Sequence, residues 1–145
     1  MAITVGTNSY VTEAELTAYA TDRGITISND TSVLLIKAMD YIETRMYISS
    51  KYDTAQALQF PRWSILDYDD DVVPTEIKNA QMIAALLIDS GKDLQPTIGQ
   101  SVKREKVDVI EVEYQDGSTT GSNQFRALND ILRPFLYPTN RGIRV

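Results

Sequence analysis

Neither histidine nor cysteine occurs in this 145-residue chain. Their absence removes the usual general base, the usual zinc ligand and the side chain that titrates near neutral pH. It also excludes disulfides and thiolate metal sites. Carboxylates are the remaining candidates for chemistry. Asp67, Asp69 and Asp71 alternate as at the start of a calcium-binding loop, which needs glycine at its sixth position and glutamate at its twelfth. Those positions hold Val72 and Lys78, so the stretch reads as a solvated acidic turn before a helix. Asp40 with Glu43, and Glu111 with Glu113, have the residue types for acid–base work but no cleft signature around them, and read as surface charge. No phosphate-cradling glycine loop or nucleophile elbow is present. Nothing singles out a serine for Ser–Lys catalysis. We assign no catalytic, cofactor-binding or metal-ligating residue, and expect a protein that is not an enzyme.

A second constellation could bind without catalysing. Tyr10, Tyr19, Tyr41, Tyr47, Tyr52 and Trp63 interleave with Lys37, Arg45, Lys51 and Arg62, the composition of a stacking platform for single-stranded nucleic acid. The competing reading is a core of aromatics with arginines laid along its edge. A net charge of −6 opposes an electrostatic funnel for phosphates, which favours the core.

The elements that position these residues are mostly helical. At this length a single domain over residues 1–145 is expected, burying about 70% of the unfolded surface. No run approaches the ~20 apolar residues of a membrane span, and no basic-then-apolar leader follows Met1. The expected compartment is therefore a cytoplasm. Thr12 and Glu15 form a capping box for a first helix stopped by Gly24, with Tyr10 or Val11 stapling onto Leu16. Asn29, Asp30 and Thr31 supply start signals for a second helix. Its apolar face carries Leu35, Ala38, Met39, Ile42 and Met46. From Tyr47 to Asp71 periodicity fails, yet the aromatic content requires the segment to be pinned over the helices. A third helix opens with Pro74 at its first position and presents Ile77, Ala80, Ala84, Leu87 and Ile88 before Gly91. Ser122 or Asn123 caps a fourth carrying Phe125, Leu128, Ile131 and Leu132, with Pro134 ending or kinking it. An extended arm is expected over about 135–145.

Between the third and fourth helices, Ser101 to Gly117 reads as strand and changes phase between Val109 and Ile110. Two short strands meeting at a turn are expected over about 101–116. The first is basic, with Lys103, Arg104 and Lys106 around Glu105; the second is acidic, with Glu111 and Glu113. An isolated two-stranded ribbon is marginal in water, so these six residues are candidates for a subunit interface.

Four blocks occur in order: GTNSYVTEAELTAYATDRG, LIKAMDYIETRMYISSKYDTAQALQFPRW, VPTEIKNAQMIAALLIDSG and KREKVDVIEVEY, followed by a terminal helix. From Val5 to about Leu136 this succession resembles the adaptor (head–tail connector, or head-completion) proteins of tailed bacteriophages, a group also labelled DnaT-like single-stranded-DNA-binding. Relatives tend to place glycine at the hairpin bend, where this chain has Asp108 and Val109, which leaves the turn geometry open. The resemblance implies a mainly α fold, a bundle of about four helices with an inserted β-hairpin and an extended C-terminal arm. It implies a virion protein without cofactor or enzymatic activity, assembled as a ring, commonly twelve-fold, at the head–tail interface. Such a ring would bind the portal, extend the DNA channel without sequence-specific DNA binding, and dock the next tail component, a stopper or nozzle protein. Carried onto this chain, Arg133, Tyr137, Arg141 and Arg144 become the portal-binding candidates. The alternative, from the aromatic–basic interleaving and the second label, is a replication accessory protein that binds single-stranded DNA.

Overall fold

The computed structural model describes residues 2–65, 67–94 and 125–138. Four α-helices make up the described fold: α1 (Glu13–Asp22), α2 (Thr31–Glu43), α3 (Thr75–Asp89) and α4 (Arg126–Leu132), which runs into a 3-10 turn at Arg133–Phe135. The mainly helical expectation holds. Residues 101–116, where the hairpin is expected, lie outside the described residues. Among the described residues extended pairing is confined to single bridges, Val5 with Ser9, Tyr47 with Leu136 and Lys51 with Arg62.

Local signals account for the helix starts. In α1 the Thr12 hydroxyl accepts from the Glu15 N–H at 3.1 Å, and the Thr12 N–H donates to the Glu15 carboxylate at 3.0 Å. This reciprocal pair satisfies two backbone donors that the first turn otherwise leaves open. In α2 the cap is Asp30, whose carboxylate accepts from the Ser32 N–H at 2.8 Å and the Ser32 hydroxyl at 2.6 Å. Those bonds, the hydroxyl's first, hold the Asp30 carboxyl below its ordinary range. The entry to α2 is also tied to the end of α3. There the Asp89 carboxylate accepts from the Ser28 N–H at 3.0 Å and from the Asn29 N–H at 2.9 Å. In α3 Pro74 occupies the cap position, one residue before the helix proper, and offers no side-chain cap. In α4 the cap is Phe125, later than the expected Ser122 or Asn123. Pro134 falls inside the 3-10 turn, where its missing N–H costs nothing.

Helix α2 packs mainly on α3, α3 also on α4, and α1 leans on both α2 and α3. The shared core contains Leu16, Leu34, Leu35, Ile42, Ile77, Leu128 and Leu132, all fully buried or nearly so. Burying each such side chain is worth roughly 1.5–3 kcal/mol. Two expectations need correction here. Met46 does not extend the apolar face of α2; the helix ends at Glu43 and Met46 is 72% exposed. The chain turns so that Tyr47 enters the core instead. The Tyr47 hydroxyl donates to the Ile42 carbonyl at 2.7 Å, satisfying one of the last-turn acceptors that a helix end leaves open. Nor is the arm extended from residue 135. Phe135 is buried, and Leu136 bridges to Tyr47, because the ring of Phe135 meets Phe60 edge-on at 6.0 Å.

The connection between α2 and α3 is pinned, as its aromatic content requires. Phe60 sits among Tyr10, Tyr47 and Phe135 in three edge-to-face contacts, with centroids 6.3, 4.8 and 6.0 Å apart. The Phe60–Pro61 peptide bond is cis.

Candidate functional site

The side chains with unusual environments gather where this connection crosses the helices, and Arg62 is their hub. Its backbone pairs with Lys51 in a single antiparallel bridge, and its side chain lies inward. It is only 7% exposed. Nε donates to the Ile48 carbonyl at 2.8 Å. One terminal nitrogen donates to the Gln59 carbonyl and side chain at 3.1 and 2.8 Å. The other donates to the carbonyls of Ser49 at 2.5 Å and Tyr47 at 3.4 Å. A planar guanidinium with donors in a fixed fork is the only side chain able to satisfy so many carbonyls at once. Burial lowers its pKa, but arginine stays charged at any ordinary pH.

Beside it lies a carboxylate. Glu43 accepts from the Tyr10 hydroxyl at 2.7 Å and from the Gln59 N–H at 3.0 Å, while the Phe60 N–H donates to the same Tyr10 hydroxyl at 3.0 Å. Glu43 therefore joins the N-terminal segment, α2 and the connection. The expectation of surface charge is corrected for Glu43 and fits Asp40, which is exposed. A signal was available: Glu43 follows Ile42 and lies four residues after Met39, at the edge of the apolar stripe. Burial raises the Glu43 carboxyl above its ordinary value, against the lowering effect of the Tyr10 and Gln59 bonds. Burial also raises the Tyr10 phenol, with Glu43's charge adding to the effect.

The direction for Glu43 has a consequence for stability. A carboxyl with a raised folded-state pKa binds its proton more tightly in the native than in the unfolded chain. Its contribution to stability therefore falls as pH rises from the ordinary glutamate value through the raised one. The Glu43→Gln variant lacks this titration. Urea melts from pH 4 to pH 8 should show the variant gaining on the parent as pH rises across that window. A difference between the two that is flat with pH would count against the assignment.

A buried amide, Gln81, completes the network under the N-terminal segment. Its oxygen accepts from the Tyr10 N–H at 2.9 Å. Its nitrogen donates to the Ser9 hydroxyl at 2.9 Å and the Leu35 carbonyl at 3.2 Å. The sequence reading passed over it. The available signal was a polar residue four positions after Ile77, inside the α3 stripe.

The aromatic–basic set therefore divides. Tyr10 and Tyr47 are core, and Arg62 is buried against them. Arg23 lies 3.5 Å over the half-buried Tyr19 ring, and Arg45 donates to the Tyr41 hydroxyl at 2.6 Å. Only Tyr52 and Trp63 keep large exposed faces, at 40% and 43%. Among the portal-binding candidates, Arg133 is exposed and paired with Asp130. Tyr137 is exposed, with its N–H bonded to the Met46 carbonyl at 3.0 Å. Arg141 and Arg144, and the interface candidates Lys103, Arg104, Glu105, Lys106, Glu111 and Glu113, lie outside the described residues. Asp67 to Asp71 form an acidic turn; among the described residues no group of acids converges as a metal site would require. An apolar groove of about 410 Å³ runs between α1 and α3, lined by Tyr19, Ile25, Ile83, Leu86 and Leu87.

These features define a small helical domain whose conspicuous polar residues act as internal struts. The chain belongs to the family described as "Putative DnaT-like ssDNA binding protein", whose model matches residues 2–145. No curated protein and no solved structure matches it.

Proposed function

We propose that this chain is a structural virion protein, a ring-forming head–tail adaptor that binds the portal, extends the DNA channel and docks the next tail component. The observation that carries this reading is the ordered succession of sequence blocks, whose helical parts fold as one unit around the pinned connection. The division of the aromatic–basic set supports it. Three of the ten residues that would make a stacking platform, Tyr10, Tyr47 and Arg62, are buried as core and strut, and the net charge of −6 disfavours tight phosphate binding. A heterologous ring needs two different complementary surfaces on each subunit. The charge-separated stretch from Lys103 to Glu113 and the arginine-bearing terminal residues are the proposed pair.

Mass photometry or cryo-EM of the protein mixed with its portal tests the reading. Rings bound to portal are the expected result, and a persistent monomer that ignores the portal would sink it. Removing residues 139–145 spares the Tyr137–Met46 bond and should weaken portal binding while leaving the melting temperature unchanged. Undiminished binding by the truncated protein would remove Arg141 and Arg144 from the portal contact.

The family's description favours a second reading, a replication accessory protein that binds single-stranded DNA. Fluorescence anisotropy with a labelled oligonucleotide separates the two. Binding that weakens steeply with salt supports the second reading, and no binding even at low salt eliminates it.

A further inference from the structure

Among the described residues, one pair of aromatic rings in mutual contact stays exposed, and it is held in a defined position. The Tyr52 N–H donates to the Pro61 carbonyl and the Trp63 N–H to the Ser50 carbonyl, both at 3.0 Å, on either side of the Lys51–Arg62 bridge. Arg62 is buried, whereas Trp63 and Tyr52 on either side of the bridge are exposed and in contact. Their centroids are 4.9 Å apart with the planes tilted 43°. Large apolar side chains exposed together mark interaction surfaces more often than chance.

The charge beside these rings is negative. The Ser64 N–H donates to the Asp70 carboxylate at 2.7 Å, which holds the acidic turn against the residue that follows Trp63. Asp67, Asp69 and Asp71 in that turn are exposed, as is Asp53 next to Tyr52. Among the described residues no cation pairs with Asp67, Asp69, Asp70 or Asp71. Arg62 has all three nitrogens engaged, and Lys51 donates to the Gln56 carbonyl at 3.4 Å. Phosphate groups would meet repulsion here. A guanidinium would meet a π face and carboxylates together, the two partners it binds best.

We propose that this face docks a partner protein through an arginine-bearing segment, the guanidinium stacking on Trp63 and Tyr52 while the Asp67–Asp71 turn accepts its hydrogen bonds. The proposal is tested on the chain by itself, with no portal present, so its outcome is read separately from that of the portal-binding experiment.

Trp63 is the single tryptophan of the chain, so intrinsic fluorescence reports on this face directly. The full-length protein is titrated with the blocked peptide Gly-Arg-Gly-Arg-Gly and with its lysine and glutamate counterparts. The expected result is a saturable change in Trp63 emission with the arginine peptide, about 3-fold weaker with lysine and absent with glutamate. The Asp69→Asn/Asp71→Asn double variant should weaken the response about 5-fold or more, because both charges are exposed and the contact is electrostatic. Tyr52→Ala should weaken it similarly, with unchanged far-UV circular dichroism. Three outcomes would each overturn the proposal: no arginine-dependent change at millimolar peptide, an equal response to glutamate, or a tighter response to an oligothymidylate. An arginine response unaltered in the double variant overturns the role of the acidic turn.

Discussion

Replacing Arg62 by alanine should cost about 3–5 kcal/mol of folding stability, the largest effect expected of any single substitution considered. The side chain donates to four backbone carbonyls and to Gln59 Oε1. Hydrogen bonds to a charged donor contribute about 1.5–3 kcal/mol each, and buried acceptors left open cost roughly 1–3 kcal/mol. The sum is not additive, because water enters the vacated space and re-solvates part of the loop, so the lower total is the reasonable expectation. Set against a typical stability of about 5–15 kcal/mol, this is a large share. Arg62→Lys should recover only part of the loss, since one ammonium cannot reach carbonyls on Tyr47, Ile48, Ser49 and Gln59 together. Urea denaturation at pH 7 measures both. A loss under 1 kcal/mol for alanine would mean that the connection is held by Phe60 and Tyr47 alone. Because Trp63 adjoins Arg62, the alanine variant should also shift native tryptophan emission to the red.

Gln81→Leu is the second large effect, at about 2–4 kcal/mol. Leucine is close to glutamine in volume, so cavity formation contributes little and the polar groups decide the outcome. The Tyr10 N–H loses its acceptor in a buried site, a cost of roughly 1–3 kcal/mol. The Ser9 hydroxyl keeps its bonds with Val11, at 2.7 and 3.2 Å, which limits the damage. Gln81→Glu should be worse, because it buries a carboxylate against the Leu35 carbonyl that the amide nitrogen had donated to. The midpoint of urea unfolding should fall for both at an unchanged slope, as expected when stability alone changes. If leucine proved neutral, the N-terminal segment would be held by Val11 and Leu16 packing, and the amide would be incidental.

The two substitutions probe the same architecture from different ends. Gln81 fastens residues 9–11 to α2 and α3, and Arg62 fastens the α2–α3 connection over them. Glu43 and Tyr10 join the two. Both struts are buried, so what they act on is the fold itself.

Much of the helical framework was legible in the chain. Thr12 with Glu15, Asp30, Pro74 and Gly91 act within four or five residues of their own positions, and so do the apolar stripes of α2 and α3. A periodicity of 3.6 needs no tertiary partner to be recognised. The errors fall where a local pattern met a distant competitor. Met46 continues the α2 stripe by spacing, but Tyr47 has more surface to bury and a helix-end carbonyl to satisfy. Phe135 stands after a proline in what reads as an arm, yet Phe60 offers it a ring to pack against.

The chain by itself determined the mainly helical class, the helix starts, the pinned character of the connection and the lack of histidine and cysteine chemistry. Only the tertiary structure decided which aromatics are core, which arginine is a strut and which acid is buried. The reason is separation along the chain. Gln81 meets the Tyr10 backbone across 71 residues and Phe60 meets the Tyr10 hydroxyl across 50. No local rule links residues that far apart, and burial, which sets the worth of each polar contact, exists only once they have come together.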